Sequence, residues 1–138
     1  MTESPTSRSL KKLRDDGWEP DIVERWIGGG RVKVRKDFYG FADIIAVWVH
    51  DGCPETAAIQ TTTAKNSASR RAKILAEPRA HLWLSAGNRI ILHGWRKSPV
   101  KRGSKRKIWI CNVQEITLED IPDAQEEVQQ EEVGSAGN

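Results

Sequence analysis

The sequence predicts an α/β (α+β) domain, a mixed β-sheet flanked by helices in the order α-β-β-β-α-α-β-β. Runs whose apolar residues recur at every second position, stretches with helical spacing between them, and Gly- or Pro-marked turns lead to that class. At 138 residues the chain can bury one core.

Ser7 or Ser9 can cap a short helix over 10–16, with Leu10 and Leu13 as its apolar edge and Gly17 as its stop. Residues 21–27 alternate as a strand does, with Ile22 and Trp26 on one face. Gly28-Gly29-Gly30 marks a turn or loop. Residues 31–35 then alternate strictly, Val32 and Val34 inward and the basic residues outward. Phe38-Tyr39-Gly40-Phe41 leads into a strand over 43–49, His50-Asp51-Gly52 signals a hairpin turn, and the chain returns over 56–63. Residues 67–77 read as a helix ended by Pro78, with Ala68, Ala72 and Leu75 toward the core and Arg70, Arg71 and Lys73 outward. Pro78 opens another helix, through Leu82 and Leu84, that Gly87 ends. Residues 89–95 and 107–113 form a last strand pair around a basic loop, 96–106.

Two cysteines, Cys53 and Cys111, offer no disulfide framework and no zinc-ligand spacing, and His50, His81 and His93 form no spaced ligand set. No apolar run approaches the ~18 residues that cross a bilayer, and the first residues lack a signal-peptide layout. The expectation is a soluble, cytoplasmic protein with no membrane partner. Of six tryptophans, Trp48, Trp83 and Trp109 are expected in the core, while Trp26 and Trp95 are candidates for stacking on an unpaired base.

The net charge of +3 hides an asymmetry: the stretch from Glu115 to Asn138 holds eight acids and no Lys or Arg. The first 114 residues therefore carry 22 basic against 11 acidic side chains, a body charge of +11. So basic a body suits a polyanionic partner, because each Lys or Arg that meets a phosphate releases a counterion. The domain is expected to span residues 1–121, with an acidic flexible tail over 122–138.

Two polar side chains stand where buried residues are expected: Asp43 at the head of Ile44-Ile45-Ala46-Val47, and Gln60 after Ala57-Ala58-Ile59. In an antiparallel hairpin turning at Asp51-Gly52 they lie near the same end of the sheet and can share a face. A carboxylate and an amide oxygen together make a hard-oxygen site suited to Mg²⁺. Such an ion serves phosphodiester cleavage by polarising the phosphoryl group and activating water. The alternatives are a strand-edge carboxylate for Asp43, a buried hydrogen-bonding amide for Gln60, and a surface charge paired with Arg25 or Arg31 for Glu24.

With "RKDFYGFADIIAV", "AIQTTTAKNSASRRAKIL" and "GNRIILHGWRK", the chain resembles the PD-(D/E)XK, or restriction-endonuclease-like, nuclease superfamily. Within it, the likeness is to small phage and bacterial proteins of Holliday junction resolvase type. The resemblance covers residues 7 to about 113. It implies a metal-dependent endonuclease with Mg²⁺ (or Mn²⁺) as cofactor, DNA as partner and recombination or repair as setting. It makes Asp43 the metal-binding aspartate and puts Gln60 where the second acid usually stands. Thr62 occupies the lysine position, a departure that leaves water activation to Lys65 or Lys36, or absent. The superfamily often supplies a glutamate from its first helix. None lies in 10–16, so Glu24 is the first stand-in and Asp37 the second.

Arg70, Arg71 and Lys73 on the helix after the candidate site, and Arg96, Lys97, Lys101, Arg102, Lys105, Arg106 and Lys107 on the basic hairpin, are the candidate nucleic-acid contacts. A homodimer would cut two strands symmetrically. The other classes are a catalytically silent nuclease-fold DNA-binding protein, favoured by Thr62, and a protein-interaction factor docking its basic surface on an acidic partner. If the acidic tail covers the basic face, deleting residues 123–138 raises DNA affinity at low salt. Unchanged affinity in a binding titration disposes of that cover.

Overall fold

The computed structural model describes residues 4–31, 34–50 and 52–121. Helix α1 (Pro5–Asp15) is followed by strands β1 (Glu19–Ile22), β2 (Arg25–Ile27), β3 (Val34–Lys36), β4 (Ile44–His50) and β5 (Cys53–Thr63). A 3₁₀ turn (Ala64–Asn66), helices α2 (Ser67–Ala76) and α3 (Pro78–Ser85), and strands β6 (Arg89–Pro99) and β7 (Lys107–Ile116) complete the chain. Five strands thus precede α2, where the expected order has three and the stretches read as extended are four, 21–27, 31–35, 43–49 and 56–63. The expected tail over 122–138 lies outside the described residues.

The main sheet has the order β1-β4-β5-β6-β7, with β5 and β6 parallel and the other neighbours antiparallel. The α2–α3 segment makes the crossover that a parallel pair requires. Alternation along the central strands feeds two apolar layers. Ala57, Ile59, Ile44 and Ile91 pack under Leu13 and Trp18 on the α1 side, while Ala58 and Ile90 pack with Ile74, Ala80 and Leu84 of α2 and α3. Both faces of β5 are therefore covered over 57–62, where every residue is buried, while its first three residues are exposed.

Several local expectations need correction. The run over 21–27 is two strands in different sheets, because the Val23 N–H bonds the Asp43 carbonyl at 2.9 Å and the chain then leaves the main sheet. β2 and β3 form a separate two-stranded ribbon, and Val34, expected inward, is exposed, since among the described residues neither core layer includes that ribbon. Ser4, not Ser7 or Ser9, caps α1, accepting from the Ser7 N–H at 3.1 Å. Ala68 and Ala72 of α2 face solvent, and Ser67 and Ile74 are its buried residues. Residues 96–99 belong to β6, so the basic loop shortens to a hairpin tip. Trp109, expected in the core, lies half-exposed on edge strand β7 under the Arg8 guanidinium, 3.6 Å from its ring centre.

α1 is tied to the sheet by a closed polar network. Ser9 Oγ lies 2.7 Å from Thr61 Oγ1 and 2.8 Å from His93 Nδ1, and it accepts from Trp95 Nε1 at 2.9 Å. All four side chains are buried. Burial, followed by the nearby Lys12 charge, pushes the His93 pKa down to about 4, so the ring is neutral at physiological pH. Trp95, with its N–H spent here, is removed from the base-stacking candidates.

On the opposite face, Gly94 lets the start of α2 close onto β6, because a Cβ there would stand 2.2 Å from Ser67 Oγ and 3.4 Å from Ala64 Cα. Gly94→Ala is expected to cost about 1–3 kcal/mol by overpacking. Thermal denaturation checks this, and an unchanged Tm contradicts the close approach.

Candidate metal centre

Three local structures bring acids to one end of the sheet. Phe38 and Ala42 exchange backbone hydrogen bonds of 2.8 and 2.9 Å, forming an isolated bridge that closes a tight loop. Tyr39 (φ 54°) and Gly40 (φ 76°) supply the left-handed turn. Phe41 is fully buried, and burying such a side chain contributes roughly 1.5–3 kcal/mol toward holding the loop down. Asp37 and Asp43 are the residues immediately outside this bridge. Glu24 arrives from the β1 side, where the Asp43 carbonyl receives the Val23 N–H.

One carboxylate oxygen from each of Glu24, Asp37 and Asp43 lies within 4.8 Å of the others, so the group can hold a metal ion. Asp43 is 3 % exposed and Gln60 2 %. Asp43 Oδ2 accepts from Gln60 Nε2 at 2.8 Å and from the Thr61 N–H at 2.9 Å. The two polar side chains that interrupt the apolar hairpin are thus bonded to each other. Gln60 Oε1, the other end of that amide, is buried and has no hydrogen-bond partner among the described residues. An orphaned buried acceptor is uncommon. The amide faces Asp43 through its nitrogen and would present this oxygen to a cation on turning over, while the three carboxylates by themselves make an oxygen-only set that fits a hard cation.

The electrostatics agree. Two charged carboxylates at such a separation repel by roughly 3 kcal/mol at an effective dielectric of about 20. Burial above all, opposed by the Thr61 hydrogen bond and reinforced by the neighbouring Asp37 carboxyl, pushes the Asp43 pKa up to about 8. Arg35 offsets part of the charge: its Nε donates to Glu24 Oε2 at 2.7 Å and its Nη2 bonds the same oxygen. This pairing replaces the expected Glu24 contact with Arg25 or Arg31.

The lysine candidates stand apart. Lys65 is exposed on the 3₁₀ turn and Lys36 on β3, and neither is joined to the carboxylates by a hydrogen bond or ion pair among the described residues. Thr62 is buried and lines a groove of about 450 Å³ that also takes in Glu24, Trp26, Arg35, Arg70 and the first turn of α1. Of the α2 cations, Arg70 reaches this groove. Arg71 is instead paired with Asp120 at 3.2 Å and bonded to Gln114 at 3.3 Å, and Lys73 is exposed on the helix. Because β6 runs parallel to β5 and extends past its end, the hairpin tip projects from the same end of the sheet as the carboxylates. Arg96, Lys97, Lys101, Arg102, Lys105, Arg106 and Lys107 are all exposed there.

Arg35 is the site residue that sequence reasoning passed over. The only signal for it was its place next to Lys36 and Asp37, because its role depends on Glu24 arriving from another strand. Among the described residues no helix is long and apolar enough to cross a membrane. Comparison with protein-family models, with curated proteins and with solved structures returns no match.

The raised Asp43 pKa has a definite sign. The folded state holds a proton that the unfolded chain has released once pH exceeds about 4. Stability is therefore fully present below that pH and is lost as pH rises toward about 8. In metal-free buffer at pH 8 or above, Asp43→Asn is expected to be more stable than the wild type by about 1–3 kcal/mol. Mn²⁺ or Mg²⁺ should raise the Tm of the wild type and leave that of the variant unmoved. A variant less stable than the wild type at alkaline pH, measured by denaturant titration, would contradict the assignment.

Proposed function

We propose that the protein is a Mg²⁺- or Mn²⁺-dependent endodeoxyribonuclease of the PD-(D/E)XK type, acting on branched or structured DNA in phage or bacterial recombination or repair. The observation that carries this reading is the convergence of the Glu24, Asp37 and Asp43 carboxylates, with Asp43 bonded to a Gln60 amide whose oxygen has no partner among the described residues. An oxygen-only donor set suits Mg²⁺ or Mn²⁺ rather than zinc, whose sites favour His and Cys. Bound there, the ion would polarise a phosphodiester and lower the pKa of a water.

Each part of the chain has a distinct task in this reading. Asp43, Gln60 and Glu24 hold the cation, with Asp37 as the added acid. The Thr61 N–H and Gln60 Nε2 keep the Asp43 carboxylate from turning. Arg35 and Arg70 lie along the groove, where phosphate oxygens would meet them. The cations of the hairpin tip extend that track along the backbone and release counterions on binding. Lys65 or Lys36 assists the attacking water, and two copies of the chain cut two strands.

One observation favours a second reading, a DNA-binding protein that keeps the nuclease fold without catalysis. Buried Thr62 holds the lysine position, and both replacement lysines are exposed and untethered.

Cleavage of linear and branched DNA with Mg²⁺, with Mn²⁺ and with EDTA separates the two. The nuclease reading predicts metal-dependent cutting that Asp43→Ala lowers at least a hundredfold. It also predicts a fall of about 10²-fold for whichever of Lys65→Ala and Lys36→Ala removes the assisting group. Binding without cutting, insensitive to Asp43→Ala, establishes the silent reading instead.

A further inference from the structure

We infer that the β2–β3 ribbon presents a base-stacking residue, Trp26, that selects DNA with an unpaired strand beside the phosphate to be cut. The inference rests on the nuclease reading and narrows its substrate.

Trp26 is 67 % exposed, the most exposed aromatic side chain among the described residues. Trp18 and Trp95 are buried in the α1 layer, and Trp109 is stacked under Arg8 and within 5.2 Å of the Lys97 amine. Among the described residues no ring or cation contact covers the Trp26 indole, and its ribbon lies outside the main sheet. It nevertheless does not stand on open surface: it forms part of the wall of the groove that Glu24, Arg35, Thr62 and Arg70 line.

The ribbon also sets the spacing. Trp26 pairs with Arg35 across the two strands, which places an indole and a guanidinium side by side. Glu24 precedes Trp26 by two residues of extended chain, about 7 Å. A phosphate held at the carboxylates therefore has the indole within about one nucleotide of it. At some 450 Å³, the groove has the volume for a short piece of single strand. Its lining combines the two things such a strand requires: a flat aromatic face for the base and guanidiniums for the phosphates. A paired base has its faces covered by stacked neighbours and cannot present one to the indole. A strand splayed at a junction, flap or tail can.

Binding is read in EDTA, so no cutting occurs, by fluorescence anisotropy at one fixed low ionic strength. The probes are a labelled duplex with a single-stranded tail and a blunt duplex of equal charge, titrated with the intact wild-type chain, Trp26→Ala and Trp26→Phe. The wild type is expected to prefer the tailed probe. Trp26→Ala should weaken tailed binding about tenfold and leave blunt binding within twofold, and Trp26→Phe should restore most of the loss. Quenching of tryptophan emission by the tailed probe should disappear in Trp26→Phe. Equal loss on both probes, or loss on neither, overturns the inference even where metal-dependent cutting by the wild type upholds the nuclease reading. Failure of the wild type to bind either probe in EDTA likewise overturns the inference alone, because the nuclease reading is decided by cleavage with Mg²⁺ or Mn²⁺.

Discussion

The Asp43 carboxylate is pinned between two donors, the Gln60 amide and the Thr61 backbone N–H, and the candidate site depends on that grip. Both donors come from β5, so the grip exists only in the observed pairing of β4 with β5, in which Ile44 stands opposite Ile59. A slip of one residue would turn Gln60 to the α1 side and present Thr61 or Ile59 to the acid, since side chains alternate along a strand. The register is protected by the cores on both faces. Ala57 and Ile59 serve one layer and Ala58 the other, so a slip would take Ile59 out of the α1 layer and put the Gln60 amide or Ala58 in its place.

β5 separates two polar networks of opposite character. On the α1 side, Ser9, Thr61, His93 and Trp95 satisfy one another within a neutral, buried cluster. At the β4 start, three carboxylates crowd together, Asp43 retains its proton to about pH 8, and the Gln60 amide oxygen has no donor among the described residues. Thr61 belongs to both, its hydroxyl in the closed network and its N–H on Asp43. Buried polar groups are ordinarily satisfied, and a fold that completes one network while leaving its neighbour open retains the second for something other than stability. The closed network also ties the first turns of α1 against the sheet, where they form one wall of the groove.

Arg35 links the open network to the ribbon. It neutralises part of the charge on Glu24 and stands across from Trp26. The Arg35 side chain is half-exposed and the Glu24 side chain is mostly covered, so the pair belongs to the edge of the site rather than to open surface.

Much was legible in the amino-acid pattern. Period-two alternation, the Asp51-Gly52 turn and the Pro78 and Gly87 boundaries located the central strands and the paired helices, because those signals arise between near neighbours. The intrusion of Asp43 and Gln60 into apolar runs marked the site for the same reason. The features that the pattern missed depended on partners distant in the chain. Residues 21–27 look like one strand, yet the Asp43 carbonyl takes the Val23 N–H and the backbone beyond Val23 turns away from the main sheet. Ala68 and Ala72 fit an apolar helix face, but Gly94 admits the Ser67 side of that helix to the sheet. Trp95 and Trp26 have similar local settings, and only packing buries one and exposes the other. Local sequence thus determined the elements and the two intruding polar residues. The family resemblance offered Glu24 and Asp37 as stand-ins, and tertiary structure decided that both come to Asp43, because each acid comes from a different segment and proximity among segments is set by sheet order and register rather than by spacing along the chain.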